Sequence, residues 1–165
     1  IIILEIFLYF EKYKFIPIIY IILSLICFFN IDFKVLNILD FNLLLIIIIT
    51  FDIFSYFFGK AIGKTKLIYI SPKKTIEGLV GGIIASSLFA IIFSYYFEIL
   101  INIQLFIYIV LIIFSSLSGD LIESYFKRKN NLKNSSNIIP GHGGVFDRFD
   151  SFLFSIIVYS IFISF

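Results

Sequence analysis

The sequence contains no methionine and no tryptophan, one cysteine, one histidine and three prolines among 165 residues. A single cysteine, Cys27, excludes an intramolecular disulfide and any zinc site built on several cysteines. Charge is scarce as well. Asp, Glu, Lys and Arg make up 15% of the chain against 61% hydrophobic residues, and the mean hydropathy is +1.09. Soluble domains run near half apolar and a quarter charged, so this balance argues for an integral membrane protein. Alternation of polar and apolar residues, which a membrane barrel requires, is missing. So are a charged leader with a small-residue cleavage site, an internal repeat, a P-loop and a dinucleotide-binding glycine fingerprint. With no Met at position 1 and apolar residues from the start, the expectation is a chain that lacks N-terminal spans.

What is present is a series of long apolar runs. Crossing the hydrocarbon core takes about 20 helical residues. Five stretches qualify or nearly so: 15–30, 41–58, 78–98, 103–126 and 150–165, with a sixth, partial one in "IIILEIFLYF" at the start. The expected fold class is therefore all-α, a polytopic transmembrane helical bundle of five to six spans, forming a single domain over 1–165. Twelve of the thirteen basic residues fall in segments assigned to one side, Lys34 being the exception. By the positive-inside rule that side is cytoplasmic.

Topology explains the number of lysines but not the acids and glycines among them. In "SGDLIESYFKRK", Asp120, Glu123, Ser124 and Lys127 are spaced i, i+3, i+4, i+7, one polar stripe on a helix. Asp120 follows a long apolar run, and ionisable groups at such depth are expensive unless they face a cavity or partner. Glu123 and Lys127 also have a plain reading as an ion pair at a helix end. In "GHGGVFDRFD", Gly141, Gly143 and Gly144 permit backbone amides to converge on an anion. His142 suits phosphate binding, acid–base work or a simple bond to a carbonyl. Asp147 and Asp150 suit either a helix start or, beside Arg148, a Mg²⁺ ion shared with phosphate oxygens. "SPKKTIEG" adds Lys73, Lys74 and Glu77 at the start of a span, and "FDIFSYFFGK" places Asp52 inside an apolar run, where burial would demand a partner or a water-filled cavity. Oxygen ligands, cations and glycine amides gathered on one membrane face are the equipment of phosphate chemistry. An ion-coupled transporter, with Asp52 and Asp120 as intramembrane sites, is the alternative of a different class.

Residues 124–150, "SYFKRKNNLKNSSNIIPGHGGVFDRFD", resemble the signature of phosphatidate cytidylyltransferases (CDP-diacylglycerol synthases). Ser124, Lys127, Arg128, Lys133, His142, Gly143, Gly144, Asp147, Arg148 and Asp150 fall in register with it. "SPKKTIEG", "GDLIES" and the Asp52 helix are similar to further motifs of that family. One position departs: Asn134 stands where the family has Asp. A CTP-dependent lipid kinase or a cytidylyltransferase for another lipid is the nearest rival.

The resemblance implies that CTP and phosphatidate react to CDP-diacylglycerol and diphosphate with Mg²⁺, in a one- or two-metal centre. It implies Asp120 and Asp147 as metal-holding acids. His142, Lys127 and Arg128 join them as catalytic groups. Substrate binding then falls to Lys73, Lys74, Lys133, Gly143, Gly144, Arg148, Glu123, Asp150 and Asp52. It further implies a multi-pass protein of the inner (plasma) membrane with its site facing the cytoplasm, membrane lipids as surroundings, no nucleic-acid partner, and a homodimer.

Overall fold

The computed structural model describes residues 1–31, 38–68, 71–136, 138 and 143–163, the side chains of Pro72 and Lys73 excepted. Six helices and one hairpin follow in order: α1 (Ile2–Tyr9), α2 (Phe15–Asn30), α3 (Ile38–Ile62), β1 (Lys66–Ile68), β2 (Ser71–Thr75), α4 (Ile76–Tyr96), α5 (Ile103–Lys129) and α6 (Phe146–Ile163). The expected helical membrane fold is present. Three helices, α3, α4 and α5, are long and apolar enough to cross a membrane, and α2 is a shorter apolar helix. At 1.5 Å per residue, the eight-residue α1 reaches only about 12 Å and spans nothing alone. The hairpin was not expected. Its antiparallel strands pair Lys66 with Thr75 and Ile68 with Ser71.

The chain divides into two compact units, 32–114 and the pair of segments 1–31 and 115–165. In the first of these, α3 packs along α4. The buried positions of α4 include Gly78, Gly82, Ala85 and Ser86, all small. Between apolar helices close approach replaces the hydrophobic drive, so small residues mark the seam. A Cβ on Gly78 would lie 2.6 Å from the Ser55 carbonyl oxygen, and one on Gly82 2.9 Å from Ser55 Cβ. The seam is capped by Thr75, whose hydroxyl accepts from the Gly78 amide at 3.1 Å. Glu77 accepts from the Thr65 hydroxyl at 2.8 Å and so ties the hairpin's base to the first turn of α4. At the far end, Glu98 in the left-handed region closes α4, with the Ile99 amide donating to the Ser94 carbonyl.

In the other unit α2 packs on α6, and α1 on α2. Ile6, Phe10, Ile21, Phe126, Phe146 and Leu153 form its apolar core. Phe10 meets Phe146 edge-on at 6.4 Å. Polar groups pair inside it: the Ser115 hydroxyl donates to Ser155 Oγ at 3.0 Å. α5 contributes Ile103–Phe114 to the one unit and Ser115–Lys129 to the other. It ends in a Schellman turn. Asn131 is left-handed (φ 56°), the Leu132 amide donates to the Lys127 carbonyl at 2.9 Å, and the Asn131 amide to the Arg128 carbonyl at 3.1 Å. That turn reverses the chain and returns Leu132 to the core.

Candidate functional site

The last four turns of α5 carry the polar stripe, and α6 brings the second half of the site to it. Gly119 makes the approach close: a Cβ there would collide with the backbone carbonyl of Asp150. With the helices so near, Asp120, Glu123 and Asp150 each offer a carboxylate oxygen within 4.8 Å of the others. Glu123 is fully buried. Neither of its oxygens has a partner in hydrogen-bond geometry among the described residues. Lys127, one turn on, sits with Nζ 2.6 Å from its Oε2 as an i, i+4 ion pair. The Ser124 hydroxyl donates to Asp120 at 3.4 Å, a long bond.

Lys127 bridges this cluster to Asp147, whose Oδ1 it meets at 2.8 Å. Asp147 accepts three further contacts: the Ser135 amide on both oxygens (3.2 and 3.0 Å) and the Gly144 amide at 2.8 Å. Burial pushes the Asp147 carboxyl up. Its hydrogen bonds, those from Lys127 and the Gly144 amide among them, outweigh it and hold the group below the ordinary carboxylate range. Gly143 adopts φ +88°, a left-handed conformation that glycine takes without strain, and a Cβ on it would lie 2.6 Å from Asp147 Oδ2. Of the glycines in this stretch, the Gly144 amide donates to a carboxylate of the protein itself.

A second internal carboxylate stands beside it, one that sequence reasoning passed over. Glu5 of α1 is fully buried. Its Oε2 accepts from the Val145 amide at 3.0 Å and the Phe146 amide at 3.2 Å, and the Ser135 hydroxyl donates to its Oε1. These are the orphan donors at the start of α6, where an anion is also favoured by the helix dipole. A Cβ on Gly144 would run into the Glu5 carboxylate and the Ser135 hydroxyl. The signal available in the sequence was Glu5 itself, the single charge in a ten-residue apolar run.

The remaining expected residues are distributed as follows. Arg128, Lys133 and Arg148 are exposed in the same unit, with Arg128 donating to the Leu132 carbonyl at 3.0 Å. Asn134, in place of the acid, is exposed near Gly143. Lys73, Lys74 and Asp52 belong to the other unit, Lys73 and Lys74 on β2 and Asp52 on α3. Asp52 is exposed rather than buried. Phe51 faces the seam, and one residue onward the helix has turned by about 100°. His142 and Gly141 lie outside the described residues.

The site therefore unites Asp120, Glu123, Lys127, Gly143, Gly144, Asp147 and Asp150 in one unit. A model of the cytidylyltransferase family matches residues 9–165. The chain is 48% identical over 106 residues to a protein named phosphatidate cytidylyltransferase in Staphylococcus haemolyticus (strain JCSC1435), covering 62% of this chain and 40% of that protein. It is 47% identical over 115 residues to the protein of the same name in Bacillus subtilis (strain 168), covering 66% and 41%. The chain thus spans about two fifths of the length of these relatives. With nearly every described residue inside the family's match, and the polar cluster with it, the chain belongs to the cytidylyltransferase family.

Proposed function

We propose that this chain carries the catalytic part of a phosphatidate cytidylyltransferase, converting CTP and phosphatidate to CDP-diacylglycerol and diphosphate at the cytoplasmic face of the plasma membrane. The observation that carries the reading is the gathering of Asp120, Glu123 and Asp150 around a buried, under-bonded carboxylate, tied through Lys127 to Asp147. Relatives nearly half identical bear the enzyme's name.

The donor set is all oxygen, which fits a hard divalent cation such as Mg²⁺. Asp120, Glu123 and Asp150 would hold it, and Asp147 stands next to them through the shared lysine. When bound there, Mg²⁺ offsets the negative charge of the triphosphate. The chain's own groups supply the rest. In the reaction a phosphatidate phosphate oxygen forms a bond to the α-phosphorus of CTP. The α–β bridging P–O bond breaks, and diphosphate departs with the electron pair. The attacking oxygen is already anionic, so no base must generate it. The residues' task is alignment and charge. Arg128, Lys133 and Arg148, exposed in the same unit, suit the phosphates of both substrates. Lys127 balances Glu123 and Asp147, lying within ion-pair distance of both. Lys73 and Lys74 of the hairpin remain assigned to nucleotide or lipid phosphate, with Asp52 and His142 as accessory groups.

The test is the full-length protein in detergent with labelled CTP, phosphatidate and Mg²⁺. Formation of CDP-diacylglycerol and diphosphate is expected, and product that forms equally without phosphatidate would refute the assignment. Asp120→Asn and Asp147→Asn should each lower turnover at least 100-fold.

A further inference from the structure

Glu5 lies before the family match begins, on a helix too short to span a membrane, yet it is among the most completely buried charges in the chain. Burying a carboxylate is costly unless its oxygens are satisfied. Here both are. Oε2 receives the Val145 and Phe146 amides, and Oε1 receives the Ser135 hydroxyl. Ser135 then acts twice: its hydroxyl goes to Glu5 and its own amide to Asp147. A continuous chain of contacts results, from Glu5 through Ser135 and Asp147 to Lys127 and Glu123. Gly144 has no side chain at the point where the Glu5 carboxylate packs against its backbone. Without Glu5, the Val145 and Phe146 amides and the Ser135 hydroxyl lose their acceptor together, in a segment where Ser135 and Phe146 are buried.

We propose that Glu5 is a positioning residue. Its carboxylate holds Ser135, Val145 and Phe146 in place and thereby sets where Asp147 and Lys127 stand relative to the acid cluster. The consequence for turnover rests on the cytidylyltransferase reading; the ordering of these three residues does not. Geometry also separates the charge of Glu5 from its acceptors. Glutamine can keep its carbonyl oxygen on the two backbone amides and turn its NH₂ toward Ser135 Oγ, which can accept. Alanine keeps neither, and aspartate falls one methylene short.

The experiment uses the full-length protein with Glu5→Ala, Glu5→Gln, Ser135→Ala and the Glu5→Ala/Ser135→Ala pair. Two readouts are taken: amide hydrogen exchange, and turnover against Mg²⁺ concentration. Glu5→Ala should speed exchange at Gly144, Val145 and Phe146 at least tenfold while the α3–α4 amides are unchanged. It should lower kcat at least tenfold and raise the Mg²⁺ concentration for half-maximal rate. Glu5→Gln should stay within about threefold of wild type in both, since its acceptors survive. The double variant should be no worse than Glu5→Ala alone, because the two groups act in series. Unchanged exchange in Glu5→Ala overturns the proposal, as does faster exchange with kcat and Mg²⁺ dependence intact. If Glu5→Ala fails to fold, Glu5→Gln and Ser135→Ala decide: equal loss in both overturns it. Should the wild-type protein turn over no CTP, the functional reading falls, while the exchange data still decide whether Glu5 holds Val145 and Phe146 in place.

Discussion

At the scale of single residues, three small side chains explain much of the site. Gly119, Gly143 and Gly144 are each placed where a Cβ would strike a backbone carbonyl or a carboxylate. Gly144→Ala forces its methyl onto Glu5 and Ser135. Turnover is expected to fall at least tenfold, measured as CDP-diacylglycerol formed, with the secondary structure unchanged by circular dichroism. Asp147 makes a prediction about pH. Its carboxyl sits below the ordinary range in the folded protein, so the stability it adds is complete above its unfolded value, about 3.9. That stability is lost as pH falls from there through the depressed folded value. Asp147→Asn should therefore flatten the dependence of melting temperature on pH below about pH 4, and leave the slope between pH 5 and 7 alone. A variant with the wild-type acid slope would show that Asp147 is not the group titrating.

At the scale of elements, the α3–α4 seam and the hairpin form a single device. Thr75 ends β2, caps α4 and packs against both Gly59 and Gly63. Thr75→Ala should cost about 1 kcal/mol through loss of the cap. Gly78→Ala sets two effects against each other. Alanine gains roughly 1 kcal/mol in helix propensity. The methyl, however, would meet the Ser55 carbonyl at 2.6 Å, a backbone atom that cannot swing aside. Overpacking of this kind costs about 1–3 kcal/mol, so the balance is destabilising. Thermal unfolding in detergent reads it, and a rise in melting temperature for Gly78→Ala would contradict the close seam.

The helices were legible in the sequence because lipid-facing helices advertise themselves by length and hydropathy. The starts and ends of α2 and α5 differ little from the runs read directly from the chain. The hairpin was not legible. Its strands are three and five residues long, rich in lysine, and held by Glu77 on Thr65 and by pairing, with no alternating apolar face. The site was half legible. Asp120, Glu123 and Lys127 share a helix, so spacing alone puts them on one stripe. Asp150 joins them only because Gly119 admits α6, and Glu5 meets Val145 across 140 positions, a separation no local pattern encodes.

At the scale of the whole molecule, the distribution of basic residues predicts an orientation. If the twelve basic residues that the sequence assigns to one side face the cytoplasm, cysteines introduced at Lys60 and Lys129 in a Cys27→Ser background should react with a membrane-impermeant maleimide only after the cytoplasmic face is opened. Labelling of either from the outer face of sealed vesicles or cells would reverse the topology.

The Glu5 contacts also impose an order on biosynthesis. The chain emerges N-terminus first at about 5–20 residues per second, so roughly 7–30 s pass between the synthesis of Glu5 and that of Val145 and Phe146. Until Ser135 is made, ten residues before Val145, the acid has none of its native partners. α1 cannot settle into its final burial while that charge is uncompensated. The polar centre therefore closes only once both segments of its unit have been made, Glu5 coming from one and Ser135, Val145 and Phe146 from the other.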